Sequence, residues 1–107
     1  MTSMLKTGAA MAAALLLAAP SVASAHTPIA ACYDNGDGSV LCEGGFSDGS
    51  SAAGVPMLVR DAAGAALIEG RVDENGEFAF EKPDGFVDVL FDGGEGHRVV
   101  IPADRIF

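Results

Sequence analysis

The chain has two histidines and two cysteines, and their positions define most of the chemistry it could perform. His26 directly follows Ala23-Ser24-Ala25, an A-x-A sequence of the type at which secretory leaders are cut. Cleavage there makes His26 the first residue, so that a free α-amine and an imidazole sit on one residue and can chelate a single metal ion. A ring nitrogen from His97 would complete a set of nitrogen ligands suited to Ni(II) or Cu(II), which favour tetragonal, nitrogen-rich geometry; Zn(II) would also bind. Pro28, third in the processed chain, limits binding through deprotonated backbone amides, and Asp92 or Glu95 could add an oxygen. Both histidines also have plainer roles open to them. Any residue can follow a cleavage site, and His97 has the position of a turn residue that enters the last strand and bonds the backbone.

Cys32 and Cys42 flank the segment Gly36-Asp37-Gly38. If that segment forms the tip of a hairpin, Asp34 faces Val40 and Cys32 faces Cys42, and directly opposed positions outside the hydrogen-bonded pairs lie close enough for a disulfide. So short a closed loop contributes about 2 to 3 kcal/mol in the chain-entropy account. The chain has no C-x-x-C, and a structural bridge is expected ahead of metal binding or redox catalysis. One competing route concerns Ile29-Ala30-Ala31-Cys32, which resembles the lipobox before the acylated cysteine of bacterial lipoproteins. In those proteins the box directly follows the apolar run of the leader, whereas here Pro20 to Pro28 intervenes. Acylation at Cys32 would also delete His26 and leave Cys42 unpaired.

Residues 1–25 read as a signal peptide: Lys6 in a short positive region, an apolar run from Ala9 to Ala19, Pro20, then small residues to Ala25. The run is too short to span a bilayer, so no stable membrane insertion is expected after its removal. Residues 26–107 then form a single small domain, with a core too thin to be very stable unaided. All 15 acidic residues fall in this domain, against Arg60, Arg71, Lys82, Arg98 and Arg105. Losing Lys6 with the leader therefore leaves the exported domain more negative, by a single charge, than the −9 of the whole chain. That balance argues against nucleic acid as a partner, because phosphate neutralisation needs a basic patch.

Past the leader, short runs rich in β-branched and aromatic residues alternate with Gly, Asp and Asn clusters, the spacing of an all-β sandwich. Strands are expected over Pro28 to Asp34, Ser39 to Ser47, Val55 to Asp61, Ala65 to Val72, Glu77 to Glu81, Gly85 to Asp92 and His97 to Ile101. Alternation assigns faces: Phe78 and Phe80 inward, Val87, Val89 and Phe91 inward against Asp88 and Asp92, Val99 and Ile101 inward against Arg98. Met57 shares its parity with Val55 and Val59, which predicts burial in the core instead of a thioether contact to metal. Asp61-Ala62-Ala63-Gly64 and Asp73-Glu74-Asn75-Gly76 each offer a type I turn followed by a glycine able to take positive φ, and both read as hairpins. Gly44 to Gly54, almost wholly Gly, Ser, Ala and Asp apart from Phe46, reads as a loop.

The run Val55-Pro56-Met57-Leu58-Val59-Arg60-Asp61-Ala62-Ala63-Gly64, followed by Gly70-Arg71-Val72-Asp73-Glu74-Asn75-Gly76-Glu77-Phe78-Ala79-Phe80, resembles the carboxypeptidase regulatory-like or transthyretin-like β-sandwich. That family runs strand, D-x-x-G turn, strand, then T-D-E-N-G-x-F-x-F; Arg71-Val72 stands where Thr is common. The likeness covers about Ser39 to Ile101 and implies a seven-stranded antiparallel β-sandwich of prealbumin or Ig-like type. A narrower likeness lies in Val89-Leu90-Phe91-Asp92-Gly93-Gly94-Glu95-Gly96-His97-Arg98. It is similar to the D-A-G-x-G-H ending of small periplasmic components that accompany nickel and cobalt transporters. In those proteins a sandwich often begins with a histidine near the mature N-terminus, and His26 and His97 match both positions. The resemblance implies Ni(II) or Co(II) as cargo and a membrane metal transporter as partner.

Enzymatic readings fail on the residues. Asp34-Asn35-Gly36-Asp37-Gly38 has glycine at the third position of a calcium loop and no glutamate at the twelfth, so it reads as a turn. Seven strands leave little room for a helix, so no serine is expected on the strand-to-helix elbow of a hydrolase, and a hydrolytic triad would have His97 as base without an identifiable partner. The expectation is a periplasmic or secreted β-sandwich that is not an enzyme and serves as an accessory or metal-binding protein in nickel or cobalt uptake, with copper a close variant. The alternative is a structural module that holds a protein or carbohydrate and no metal. A short distance between His26 and His97 would favour the first; placement at distant ends of the sandwich would favour the second.

Overall fold

The computed structural model describes residues 27–107; the leader and His26 lie outside the described residues. Alternating side chains and glycine-rich turns divide the chain into strands β1 (Pro28–Asp34), β2 (Ser39–Phe46), β3 (Pro56–Asp61), β4 (Ala66–Arg71), β5 (Glu77–Glu81), β6 (Phe86–Asp92) and β7 (Arg98–Pro102), followed by a 3-10 turn at Ala103–Arg105. Each begins and ends within one residue of the run expected from the sequence. A three-stranded sheet of order β1-β2-β5 packs on a four-stranded sheet of order β4-β3-β6-β7, and all pairings are antiparallel. The architecture is the seven-stranded antiparallel sandwich.

The two inner faces meet in one apolar core. Val40, Cys42, Met57, Val59, Val89 and Phe91 are almost fully enclosed, joined by Cys32, Ala52, Val72, Phe80 and Ile101. Cys32 pairs with Cys42 in the β1-β2 ladder and is bonded to it, as the hairpin register required. A disulfide and a lipid thioether cannot share one sulfur, so the bridge is incompatible with acylation at Cys32. Met57 is a core residue, 1% exposed. Close packing fixes two glycines: a Cβ on Gly44 would stand 2.7 Å from Cε2 of Phe91, and one on Gly70 would meet the ring of Phe78.

Two expectations need correction. Val87 does not point inward with Val89 and Phe91. Opposite β6, Arg60 pairs with Asp88 and Asp61 with Phe86, so Val87 has no partner of its own in a β-bulge. The extra residue reverses the parity of what precedes it: Val87 is 41% exposed, and Phe86 instead turns in to meet Phe80 edge-on at 5.7 Å. A matching irregularity on the other side of Arg60 skips Leu67 of β4, also exposed. The second correction concerns Asp73-Glu74-Asn75-Gly76. The turn forms as its residues dictate, with Asp73 accepting from Asn75 and Glu77 backbone N–H groups and Gly76 at φ 82°. It is nonetheless not a hairpin, because β4 and β5 belong to different sheets and the turn carries the chain across the sandwich. Asp61-Ala62-Ala63-Gly64 does close the β3-β4 hairpin, with Gly64 at φ 85°.

Candidate functional site

Antiparallel order gathers the connections at two ends. The β1-β2, β3-β4 and β5-β6 turns share one end with the C-terminal Phe107, whose carbonyl accepts from Asp34 N–H at 2.8 Å. The β2-β3 loop, the β4-β5 crossing and the β6-β7 turn share the other, which holds His97. Thr27 is at this second end too. Its N–H donates to Ser47 Oγ at 2.9 Å and its carbonyl accepts from Ser47 N–H at 2.8 Å, which continues the β1-β2 ladder one residue past Pro28 and Phe46.

His97 closes a tight turn. Gly93 N–H donates to the His97 carbonyl at 3.0 Å and His97 N–H to the Gly94 carbonyl at 2.8 Å, with Gly94 and Gly96 at φ 100° and 83°. A side chain on Gly93 would stand 2.7 Å from the His97 carbonyl oxygen, so the turn requires glycine there. The imidazole Nδ1 lies 3.3 Å from the Glu95 carbonyl, a contact in which Nδ1 must carry the proton, and that tautomer places the lone pair on Nε2. Ligating histidines commonly hold their second N–H on a carbonyl in this way. The expected contact of His97 with the backbone is therefore present.

The ring of Phe46 stands edge-on to His97, centroids 6.3 Å apart, and edge-on to Phe91 at 5.9 Å. Phe46 thus links the imidazole to the core. Phe46, Ser50, Gly93 and His97 line a shallow pocket of about 190 Å³. Ser50 is oriented from the loop by Asp48, whose Oδ1 accepts from both Ser50 N–H and Ser50 Oγ.

The two suggested oxygen donors separate. Asp92 Oδ1 accepts from Arg98 Nε at 2.8 Å and from Gly94 N–H at 3.1 Å, so it braces the turn from the outer face of the sheet, and those partners hold its carboxyl below the usual carboxylate range. Glu95 is exposed at the tip and supplies its carbonyl to His97. Among the described residues no three His, Cys, Asp or Glu side chains converge on a point that could hold a metal ion. Cys32 and Cys42 are consumed by their bridge. His26, the other histidine of the expected site, lies outside the described residues.

The chain matches no family model, no curated protein and no solved structure. Function has therefore to be argued from the residues themselves. Three of them, Phe46, Ser47 and Ser50, are not singled out by sequence pattern, because they sit in the stretch that composition marks as a plain loop. Phe46 carried the one available signal, a lone aromatic among Gly, Ser, Ala and Asp, and it is the residue that connects the pocket to the core.

Proposed function

We propose that this protein is an extracytoplasmic accessory or metal-binding component of nickel or cobalt uptake, and that it takes its metal through the α-amine and imidazole of His26 together with the imidazole of His97. The observation that carries this reading is the pinning of Thr27. Ser47 holds it by two hydrogen bonds beside Phe46, and Phe46 faces His97. His26 is covalently tied to Thr27, with Cα atoms about 3.8 Å apart. A site shared by the two histidines would lie at the end of the sandwich that Thr27 and His97 share. In this reading His97 ligates through Nε2, since its Nδ1 faces the Glu95 carbonyl, and the nitrogen-rich donor set suits Ni(II), Co(II) or Cu(II) over hard cations such as Mg(II) or Ca(II). The Cys32–Cys42 bridge fits an oxidising compartment, and a membrane metal transporter is the proposed recipient of the cargo.

Titration of Ni(II) into protein with an authentic His26 start tests this. One ion should bind per chain, and His97→Ala, His26→Ala or acetylation of the α-amine should each weaken binding at least tenfold, a loss of about 1.4 kcal/mol or more. Affinity unchanged in both histidine variants would assign any bound metal to the acidic surface at large. The second reading, a metal-free interaction module, is favoured by exposed Ile29 and Tyr33 on one sheet face; under it these variants bind their partner normally and Ni(II) binds without stoichiometry.

A further inference from the structure

The outer face of the β1-β2-β5 sheet is organised in rows by strand register. Ile29 stands opposite Gly45; Ala31, Glu43 and Glu77 form the next row; Tyr33, Leu41 and Ala79 form the third. Ile29 and Tyr33 are 55% and 48% exposed, and between them the small residues Ala31 and Gly45 leave a shallow groove of about 230 Å³ whose wall includes Glu43. Apolar ridges on either side of a low floor suit side chains that alternate along an extended segment, because both repeat every second residue.

The charges on this face are arranged against the fold's own interest. Glu43 and Glu77 are directly opposed, and like charges in that relation are destabilising. Neither carboxylate has an ion pair among the described residues: Arg60, Lys82 and Arg98 are held by Asp88, Asp34 and Asp92, Arg71 donates to the Gly54 carbonyl, and Arg105 lies in the 3-10 turn after β7. A cation brought from outside would remove the repulsion, and the Tyr33 ring offers such a cation a π face.

We propose that this face docks an extended, cationic and partly apolar segment of another protein, with Lys or Arg side chains over Glu43 and Glu77 and apolar side chains between Ile29 and Tyr33. Charge selects this occupant over the others. A second copy would bring two more carboxylates onto the pair, and an anionic membrane surface would repel a chain of net charge −9. A lone divalent cation would engage the carboxylates but leave Ile29 and Tyr33 uncovered. The proposal does not depend on metal at His97.

The test is an NMR titration of ¹⁵N-labelled protein, processed as its host processes it and kept oxidised, with a soluble peptide of alternating lysine and valine. A glutamate–valine peptide and anionic vesicles serve as the other arms. Shifts should concentrate on Ile29, Ala31, Tyr33, Glu43 and Glu77, and fade with salt. The double variant Glu43→Gln/Glu77→Gln should bind about tenfold more weakly, in line with the loss of two exposed charge pairs. Tyr33→Ala, which removes no core contact, should weaken binding independently. Absence of binding, shifts spread over all acidic residues, equal affinity in the double variant, or vesicle binding through this face would each overturn the proposal.

Discussion

The two ends of the sandwich are built on different principles. At the end holding the β1-β2 tip, polar turn chemistry closes the structure. Asp34 accepts from Gly36 N–H and from Lys82 Nζ, Asp37 accepts from Ser39, and Lys82 N–H reaches back to the Gly38 carbonyl. At the His97 end aromatic rings take that role: Phe91 at the core, Phe46 on it, His97 on Phe46. One end is closed by hydrogen bonds among its turn residues. The other keeps an imidazole and a pocket at the surface, packed on Phe46, whose chain neighbour Ser47 holds Thr27. The difference teaches where to look for function: both ends have acidic residues and glycine turns, and among the described residues only one has an imidazole packed through Phe46 on the core.

The largest effect expected from separating the ends is on stability alone. Cys32→Ser should cost about 3 kcal/mol, lowering Tm by roughly 10 to 20 °C, because the bridge closes the β1-β2 hairpin in the unfolded chain as well. Below the melting range Ni(II) affinity should stay unchanged, since Cys32 lies toward the opposite end from Thr27 in the ladder. Thermal unfolding and a nickel titration on the same variant check both halves of the statement.

Gly44→Ala acts on the other end. Its Cβ must displace the Phe91 ring on which Phe46 rests, so a loss of about 1 to 3 kcal/mol is expected, accompanied by weaker Ni(II) binding as His97 loses its support. A variant that melts lower yet binds nickel normally would show that the aromatic stack does not position the imidazole.

The smallest effect is a difference of pH window. The Asp34 carboxyl is held below its usual value by the Lys82 ammonium and the Gly36 N–H, and that of Asp37 by the Ser39 hydroxyl and N–H. Their folded-state values are depressed, so the stability they contribute is present above the unfolded value of about 3.9 and lost as pH falls through the lower folded values. Tm should therefore hold from neutral pH to about 5 and decline below about 4. Metal release should follow its own pH course, because nitrogen ligands bind only when deprotonated. Metal release and loss of stability coinciding at one pH would erase the distinction between the ends.

Much of the fold was legible because strand physics is local. Period-two alternation placed Met57, Val59, Phe80, Val89, Phe91 and Ile101 in the core, and facing positions across Gly36-Asp37-Gly38 paired the cysteines. Where parity failed, at Val87, the cause was a bulge set by the neighbouring strand, which no local pattern contains. The Asp73 turn shows the same limit: its residues specify a turn, and whether the strands on either side then pair is decided by what else the sheets can bury. His97 was legible as a turn residue and as a candidate ligand. Its support was not, because Phe46 lies far from it in sequence and reaches it only through the packing of the two sheets.

Paramagnetic broadening by substoichiometric Cu(II), which the same nitrogen donors take and which is paramagnetic in any geometry, read residue by residue on ¹⁵N-labelled protein beginning at His26, tests the central claim most directly. Signals of Thr27, Phe46, Ser47, Ser50 and Gly93 to His97 should broaden first, while Asn35 to Ser39 and Lys82 to Gly85 at the far end stay sharp. Broadening centred on the far end, or spread evenly over the acidic surface, would contradict a metal site at His97.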